Sequence, residues 1–311
     1  MRLKNLRLEM LKRDLDAYYI SGTDPHMSEY LPDKWKTREF ISGFTGSAGT
    51  VVITQEEAGL WTDSRYFIQA EEQLKGSGIK LFKLRVPNAV EPEVWLTGKL
   101  EPASKVGFDS RTLSVNSYRK LKSELDKKSI QFIETADLLD KVWTDRPEIP
   151  SHPVVELDVK LAGLSRKEKK DRLIIDFKKE GADLQIVTAL DELAWLFNLR
   201  GSDISYNPVF TGFGIISRSQ SLLFTDAKKI QEDVLERLAK DRIEIREYDE
   251  FYSWLKGVKN KTVLVDASSA NYAVFKNLQE GNRIKEDTSK VALIKAQKNE
   301  AELNGFKTAM K

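Results

Sequence analysis

The sequence predicts an α/β protein made of two similar domains, each a mixed β-sheet flanked by helices. Three observations carry that prediction. Strand and helix patterns alternate through the first half, the same order returns in the second half, and a proline-rich stretch without apolar periodicity stands between them. The 311 residues also exceed the roughly 250–300 at which single cores stop growing.

In chain order, Leu3, Leu6 and Met10 share a face and predict a helix over 3–12. A strand at 17–21 leads into a long polar loop, and strands at 50–54 and 58–63 are close enough for a hairpin, so the sheet should be mixed rather than all parallel. A helix over 64–75, a strand at 79–84, a helix over 92–100, a strand at 106–108, a helix over 115–125 and a strand at 130–132 complete the first domain, placed at 1–145. Arg146 to Pro153 holds three prolines, and 146–158 therefore reads as a stiff linker.

The second domain, 159–297, repeats the first. Tyr18 to Ser21 corresponds to Gln185 to Thr188, Leu60 to Asp63 to Leu223 to Asp226, and Val106 to Asp109 to Val263 to Asp266. The offsets fall from 167 (186 − 19) to 163 (226 − 63) to 157 (266 − 109), as loop trimming would produce. Leu190, Leu193, Ala194 and Phe197 form one stripe of a short helix with Asp191 as its N-cap, and Arg200 and Gly201 as its end. Trp195 and Phe197 read as core residues. The first domain's counterpart of that helix is placed at 24–30, where Pro25 and Pro32 break it and a loop has grown. Arg166 to Lys170 reads as a solvated helix face, and 42–49, with three glycines, as a tight turn that fits neither phosphate-loop pattern. Residues 298–311 form an amphipathic helix with nothing left to cover it.

Composition narrows the function. Lys plus Arg at 50 against Asp plus Glu at 48 gives no basic excess for nucleic acid. No apolar stretch reaches the roughly 18–20 residues that span a bilayer. The basic, amphipathic opening is compatible with a transit peptide, but Glu9, Asp14 and Asp16 favour an ordinary first helix. Cysteine is absent, which excludes disulfides, thiolate metal sites and thiol nucleophiles. The two histidines, His26 and His152, sit in a proline-flanked loop and in the linker.

Three stretches carry a resemblance. They are HMSEY at His26–Tyr30 followed by SGFTGSAG at 42–49, LWTDSRYF at 60–67, and TALDELAWLFNLRGSDISYNPVF at 188–210. They resemble signatures of the three-domain aminopeptidase P (Xaa-Pro aminopeptidase) family, with Ser64 where Gly is usual, and the likeness runs over essentially the whole chain. It implies two creatinase N-terminal-like domains, with 298–311 opening the first helix of a C-terminal pita-bread domain beyond this chain. That domain would hold two divalent metals, manganese by preference, on two Asp, one His and two Glu, and release an N-terminal residue that precedes proline.

The same resemblance implies no catalytic or metal-binding residue within 1–311, no cofactor bound by this chain, and no activity of the chain alone. Its partners would be peptides with proline second, the chain's own catalytic domain and a second copy in a homodimer, without nucleic acid or membrane; its location would be cytoplasmic. His26, Glu29, Tyr30 and Arg38 fall where a wall of the substrate cleft is expected, the alternative being a surface loop bonded within itself. Arg65 either pairs with Asp63, the preferred reading, or offers its guanidinium to a peptide carboxylate or carbonyl. Arg200, Asp203 and Tyr206 read as structural. A different class, a peptide- or histone-binding module of a pita-bread protein without metals, shares the first kind of domain. The doubled layout favours the peptidase over it and over prolidase or creatinase.

Overall fold

A computed structural model describes residues 1–311. It divides into one unit of Met1–Pro25 with Glu29–Glu148 and a second of His26–Ser28 with Ile149–Lys311. In the first unit six strands, β1 (Ala17–Ile20), β2 (Thr50–Thr54), β3 (Ala58–Thr62), β4 (Lys80–Lys83), β5 (Lys105–Asp109) and β6 (Gln131–Thr135), form one sheet in the order β4-β3-β2-β1-β5-β6. β2 runs antiparallel to both neighbours, and the remaining pairs are parallel.

Both faces of this sheet are covered, which is why its strands are apolar in consecutive positions rather than alternately. Val51, Ile53 and Leu60 pack on one face with Leu6 and Met10 of the helix Arg2–Leu11. Val52 and Trp61 pack on the other with Trp95 and Leu96 of Pro92–Lys99 and Leu125 of Val115–Asp126. Trp61 stacks on Phe82 at 4.3 Å between ring centres.

The second unit contains β7 (Val155–Glu156), β8 (Leu184–Val187), β9 (Leu199–Arg200), β10 (Phe213–Ser217), β11 (Ser221–Phe224), β12 (Ile243–Arg246), β13 (Thr262–Val265) and β14 (Arg283–Glu286). Its main sheet is ordered β12-β11-β10-β8-β13-β14, with the same parallel and antiparallel pattern as the first. Ala17 pairs with Thr54 and Val106, and Leu184 with Ser217 and Val263. The offsets are 167 (184 − 17), 163 (217 − 54) and 157 (263 − 106), the three values read from the sequence repeat.

Five local expectations change. The first unit's short helix lies at Thr37–Ser42, not at 24–30, because only past Pro32 can the chain form unbroken backbone hydrogen bonds. Asp191 does not cap the helix Leu190–Leu196, whose N-cap is Ala189; its carboxylate instead pairs with Lys295 at 2.6 Å. That helix stops at Phe197, Asn198 takes the left-handed turn at φ +50, and Arg200 donates back to the Ala194 carbonyl at 2.7 Å from strand β9. The expected linker 146–158 lacks regular structure only as far as Pro153: Val154 bridges Ile230 and β7 pairs with β9, since the residues past the last proline regain their N–H donors.

The cationic run 166–170 is not simply a solvated face. Arg166, Lys169, Leu173 and Phe177 share the buried side of the helix Arg166–Glu180. Arg166 donates to the Phe197 carbonyl at 2.6 Å and to Asp241 at 2.9 Å. Lys169 donates to the Trp195 carbonyl at 2.6 Å with its ammonium 4.2 Å above the Trp195 ring. Those carbonyls lie at the end of the helix Leu190–Leu196, where a cation is favoured. Trp195 and Phe197 are core residues.

Candidate functional site

The helix Thr37–Ser42 turns Arg38 inward, where the residue keeps only 6% of its exposure. The helix ends at Gly43, whose φ of +77 suits a residue without Cβ, and the following loop folds over the guanidinium. Arg38 donates to the carbonyl of Gly49 at 2.9 Å, to that of Gly46, and at 3.4 Å to that of Ser47. A Cβ on Gly22 would stand 2.5 Å from the Gly49 oxygen and 2.7 Å from Arg38 Nη1, so glycine there lets the cation and loop meet. Burial lowers the Arg38 pKa to about 10, which leaves it charged at neutral pH. The glycine-rich stretch is a backbone cage around one cation.

Ser47, at the crest of that loop, brings a set of polar groups together. Its Oγ lies 2.8 Å from the Tyr66 hydroxyl and donates to Glu29 Oε1 at 3.4 Å. Arg65 Nη1 is 4.0 Å from the same Glu29 oxygen. Its Nε and Nη2 bind Asp63 bidentately at 2.9 and 2.8 Å, so Arg65 makes the ion pair with Asp63. Hydrogen bonds from Arg65 hold the Asp63 carboxyl below the usual aspartate range. Asp63 also accepts from the Arg65 N–H and so caps the turn Ser64–Tyr66. Tyr66 packs edge-on to Phe44, and the Arg65 guanidinium lies 5.2 Å from its ring. Glu29 and Arg65 remain about 60% exposed at their side chains.

The five residues singled out from sequence thus separate. Glu29 and Arg65 meet at this patch, and Tyr30 follows Glu29 with its ring in solvent. Arg38 lies beneath the patch as its support. His26 belongs to the second unit and is 2% exposed. Its Nδ1 is 2.9 Å from the Thr188 carbonyl, which only accepts, so Nδ1 carries a proton, and Nε2 hydrogen-bonds with the Tyr248 hydroxyl at 3.0 Å. Ser47 and Tyr66 join the patch although sequence reading passed them over; the signal available was their place inside two of the quoted motifs.

The second unit shows what this patch adds. Thr62 Oγ1 donates to the Ala48 carbonyl at 2.6 Å, and its equivalent Thr225 donates to the Thr211 carbonyl at 2.8 Å. Under the same loop, however, the second unit buries an ion pair, with Asp203 accepting from Lys229 Nζ at 2.8 Å and from the Thr211 N–H at 2.7 Å. Lys229 occupies the position of Tyr66 (66 + 163). His152 Nδ1 lies 3.4 Å from Asp203, and Tyr206 is fully exposed at φ +63. The open hydroxyl, carboxylate and guanidinium array belongs to the first unit.

Chemically this array can accept, donate and orient. No three or more His, Asp or Glu side chains converge as metal ligands in the chain, and no step through metal is assigned to its residues.

The family described as creatinase/prolidase N-terminal domain matches twice, over residues 2–142 and 145–302. Xaa-Pro aminopeptidase 1 of Dictyostelium discoideum is 39% identical over 99% of this chain and 50% of its own length. Xaa-Pro aminopeptidase app-1 of Caenorhabditis elegans is 36% identical over 94% of this chain and 49% of its own. A solved X-prolyl aminopeptidase from Caenorhabditis elegans, described as a cytosolic enzyme with a di-nuclear active site, superposes with a TM-score of 0.92 at 33% identity, covering 98% of this chain and 53% of that one. The chain spans about half the length of the curated relatives it matches.

Proposed function

The chain belongs to the creatinase/prolidase N-terminal domain family, and from that premise we propose that it is the non-catalytic N-terminal half of a cytosolic, metal-dependent Xaa-Pro aminopeptidase. Peptide hydrolysis, at the bond between an N-terminal residue and a following proline, falls to a C-terminal domain with two divalent metals, manganese in this reading. The two units described here restrict which peptides reach it. Likeness along nearly the whole chain to named Xaa-Pro aminopeptidases supports this. No helix is long and apolar enough to cross a membrane. The helix Glu300–Ala309 leaves Leu303, Phe306 and Met310 exposed, an apolar stripe suited to cover by the rest of such a protein.

The observation that carries the cleft reading is the patch of Glu29, Ser47, Arg65 and Tyr66, rigidly based on Arg38 and absent from the second unit. Arg65 keeps its Nη1 outside the bidentate Asp63 contact, 4.0 Å from Glu29, where it can bind a peptide carbonyl or carboxylate. In the full-length protein, Arg65→Ala and Glu29→Gln are expected to raise KM for a proline-second peptide several-fold while kcat stays close to wild type, the signature of lost uniform binding. The 311-residue chain alone, supplied with Mn²⁺, is expected to release no N-terminal residue. Unchanged KM in both variants sinks the cleft role; turnover by the chain alone sinks the division of labour.

A further inference from the structure

The second unit contains a concave site that shares no residue with the patch used above for peptide recognition. Three segments enclose a cavity of about 410 Å³: the start of the helix Arg166–Glu180, the turn between β10 and β11, and the end of the helix Glu232–Lys240 with the residues that follow it. Its floor is apolar, formed by Leu196, Phe197 and Ile216, and its rim is cationic.

The charges on this rim do not cancel. Arg166 pairs with Asp241 at 2.9 Å and Lys167 with Asp171 at 3.0 Å, which accounts for both acidic residues of the cavity. Lys170, Lys240 and Arg242 make no ion pair or hydrogen bond through their side chains, and Arg218 donates once, to the Ala182 carbonyl at 3.2 Å. Lys170, Arg218, Lys240 and Arg242 therefore face one cavity with no ion-pair partner of their own, Asp171 acting on Lys170 only at longer range, and a bound anion would relieve their mutual repulsion. Burial first, and the Arg242 guanidinium second, hold the Lys170 ammonium below the usual lysine range. Arg242 is also unexpected as a backbone residue. It follows the C-cap Asp241 at φ +59, the left-handed position where helices favour glycine, yet it carries a long side chain with no protein partner.

We propose that this cavity binds a small organic polyphosphate, with its phosphates among Lys170, Arg218, Lys240 and Arg242 and its apolar part over Leu196, Phe197 and Ile216. Two guanidiniums supply forked donors that match phosphate oxygens, and two ammoniums supply point charge. Three or four negative charges on one compact ligand match four open cations better than a monoanion does. The volume is within the usual range for small-molecule sites, roughly 300–1,000 Å³. The inference does not depend on the peptidase reading.

The test is calorimetric titration of the chain, without divalent metal, with adenosine triphosphate, inorganic tripolyphosphate and citrate, at low and at raised salt. Adenosine triphosphate is expected to bind saturably at one site, roughly tenfold or more tighter than the other two, and more weakly at raised salt. Lys170→Glu with Arg242→Glu is expected to weaken it at least tenfold, whereas Lys256→Glu, a reversal at an exposed position of the helix Phe251–Gly257 in the same unit, leaves it unchanged. Lys170→Ala with Arg242→Gly, which relieves the left-handed backbone, guards against misfolding and should give the same loss with an unaltered circular dichroism spectrum. No saturable binding of either phosphate, or equal losses in Lys256→Glu, overturns the site. Citrate binding as tightly as the nucleotide overturns the phosphate assignment, and tripolyphosphate binding as tightly overturns the role of the apolar floor.

Discussion

Arg38 and Glu192 are ionisable side chains taken out of water for opposite results. Arg38 stays charged because three loop carbonyls replace its hydration. Truncating it leaves those acceptors buried and unpaired, so Arg38→Met is expected to cost about 2–4 kcal/mol of stability, read as a lowered urea midpoint. Glu192 is 7% exposed and accepts from the Ser289 hydroxyl, with Asp191, Asp266 and Lys295 also acting on it. Burial dominates and pushes its pKa up to about 7. A carboxyl raised in the folded state contributes its stability below the unfolded pKa and loses it as pH climbs through the folded one. Between about pH 4.5 and pH 7 the chain should therefore lose stability, on the order of 3 kcal/mol in total from this group. Glu192→Gln should flatten that decline, as urea titrations at about pH 5 and about pH 8 would record.

At the scale of elements, the two sheets share their order, register and even one hydrogen bond that ties a loop carbonyl to a strand threonine. Beside that bond, a Cβ on Gly49 would stand 3.0 Å from the Trp61 carbonyl oxygen, and one on Gly212 would stand 3.0 Å from that of Phe224. Backbone atoms in a sheet cannot swing aside as a side-chain tip does. Gly49→Ala and Gly212→Ala are therefore each expected to destabilise by about 1–3 kcal/mol, and by similar amounts, measured by denaturant unfolding. A large effect in one and none in the other would show that the shared device is not shared energetically. The helix beside the first strand was legible only in the second unit. There the apolar stripe Leu190, Leu193, Ala194 and Phe197 announces it, while in the first unit Thr37–Ser42 is six residues long, too short for a period to emerge from a polar loop.

For the whole molecule, the proposed division of labour has a thermal test. With no convergent set of His, Asp and Glu, Mn²⁺ should leave the thermal midpoint of this chain unchanged, because a ligand stabilises only a state it binds. A metal-dependent rise in the midpoint, lost on chelation, would reveal a site within 1–311 and overturn the separation of recognition from chemistry.

The sequence by itself determined the duplicated α/β plan, the six strands of the first sheet, three of the second, their offsets and the family, because apolar runs, turn residues and repeated motifs are local and survive in one dimension. It also marked Asp63 and Arg65 as a pair, two residues apart. Only the tertiary structure decided that Arg38 lies under the glycine loop, that Ser47 and Tyr66 join Glu29, that His26 is a buried hydrogen-bonding residue of the second unit, and that half of a lysine-rich helix turn faces inward. Each of those depends on which groups burial forces to find partners across tens of residues, and that pairing is settled by packing in three dimensions rather than by spacing along the chain.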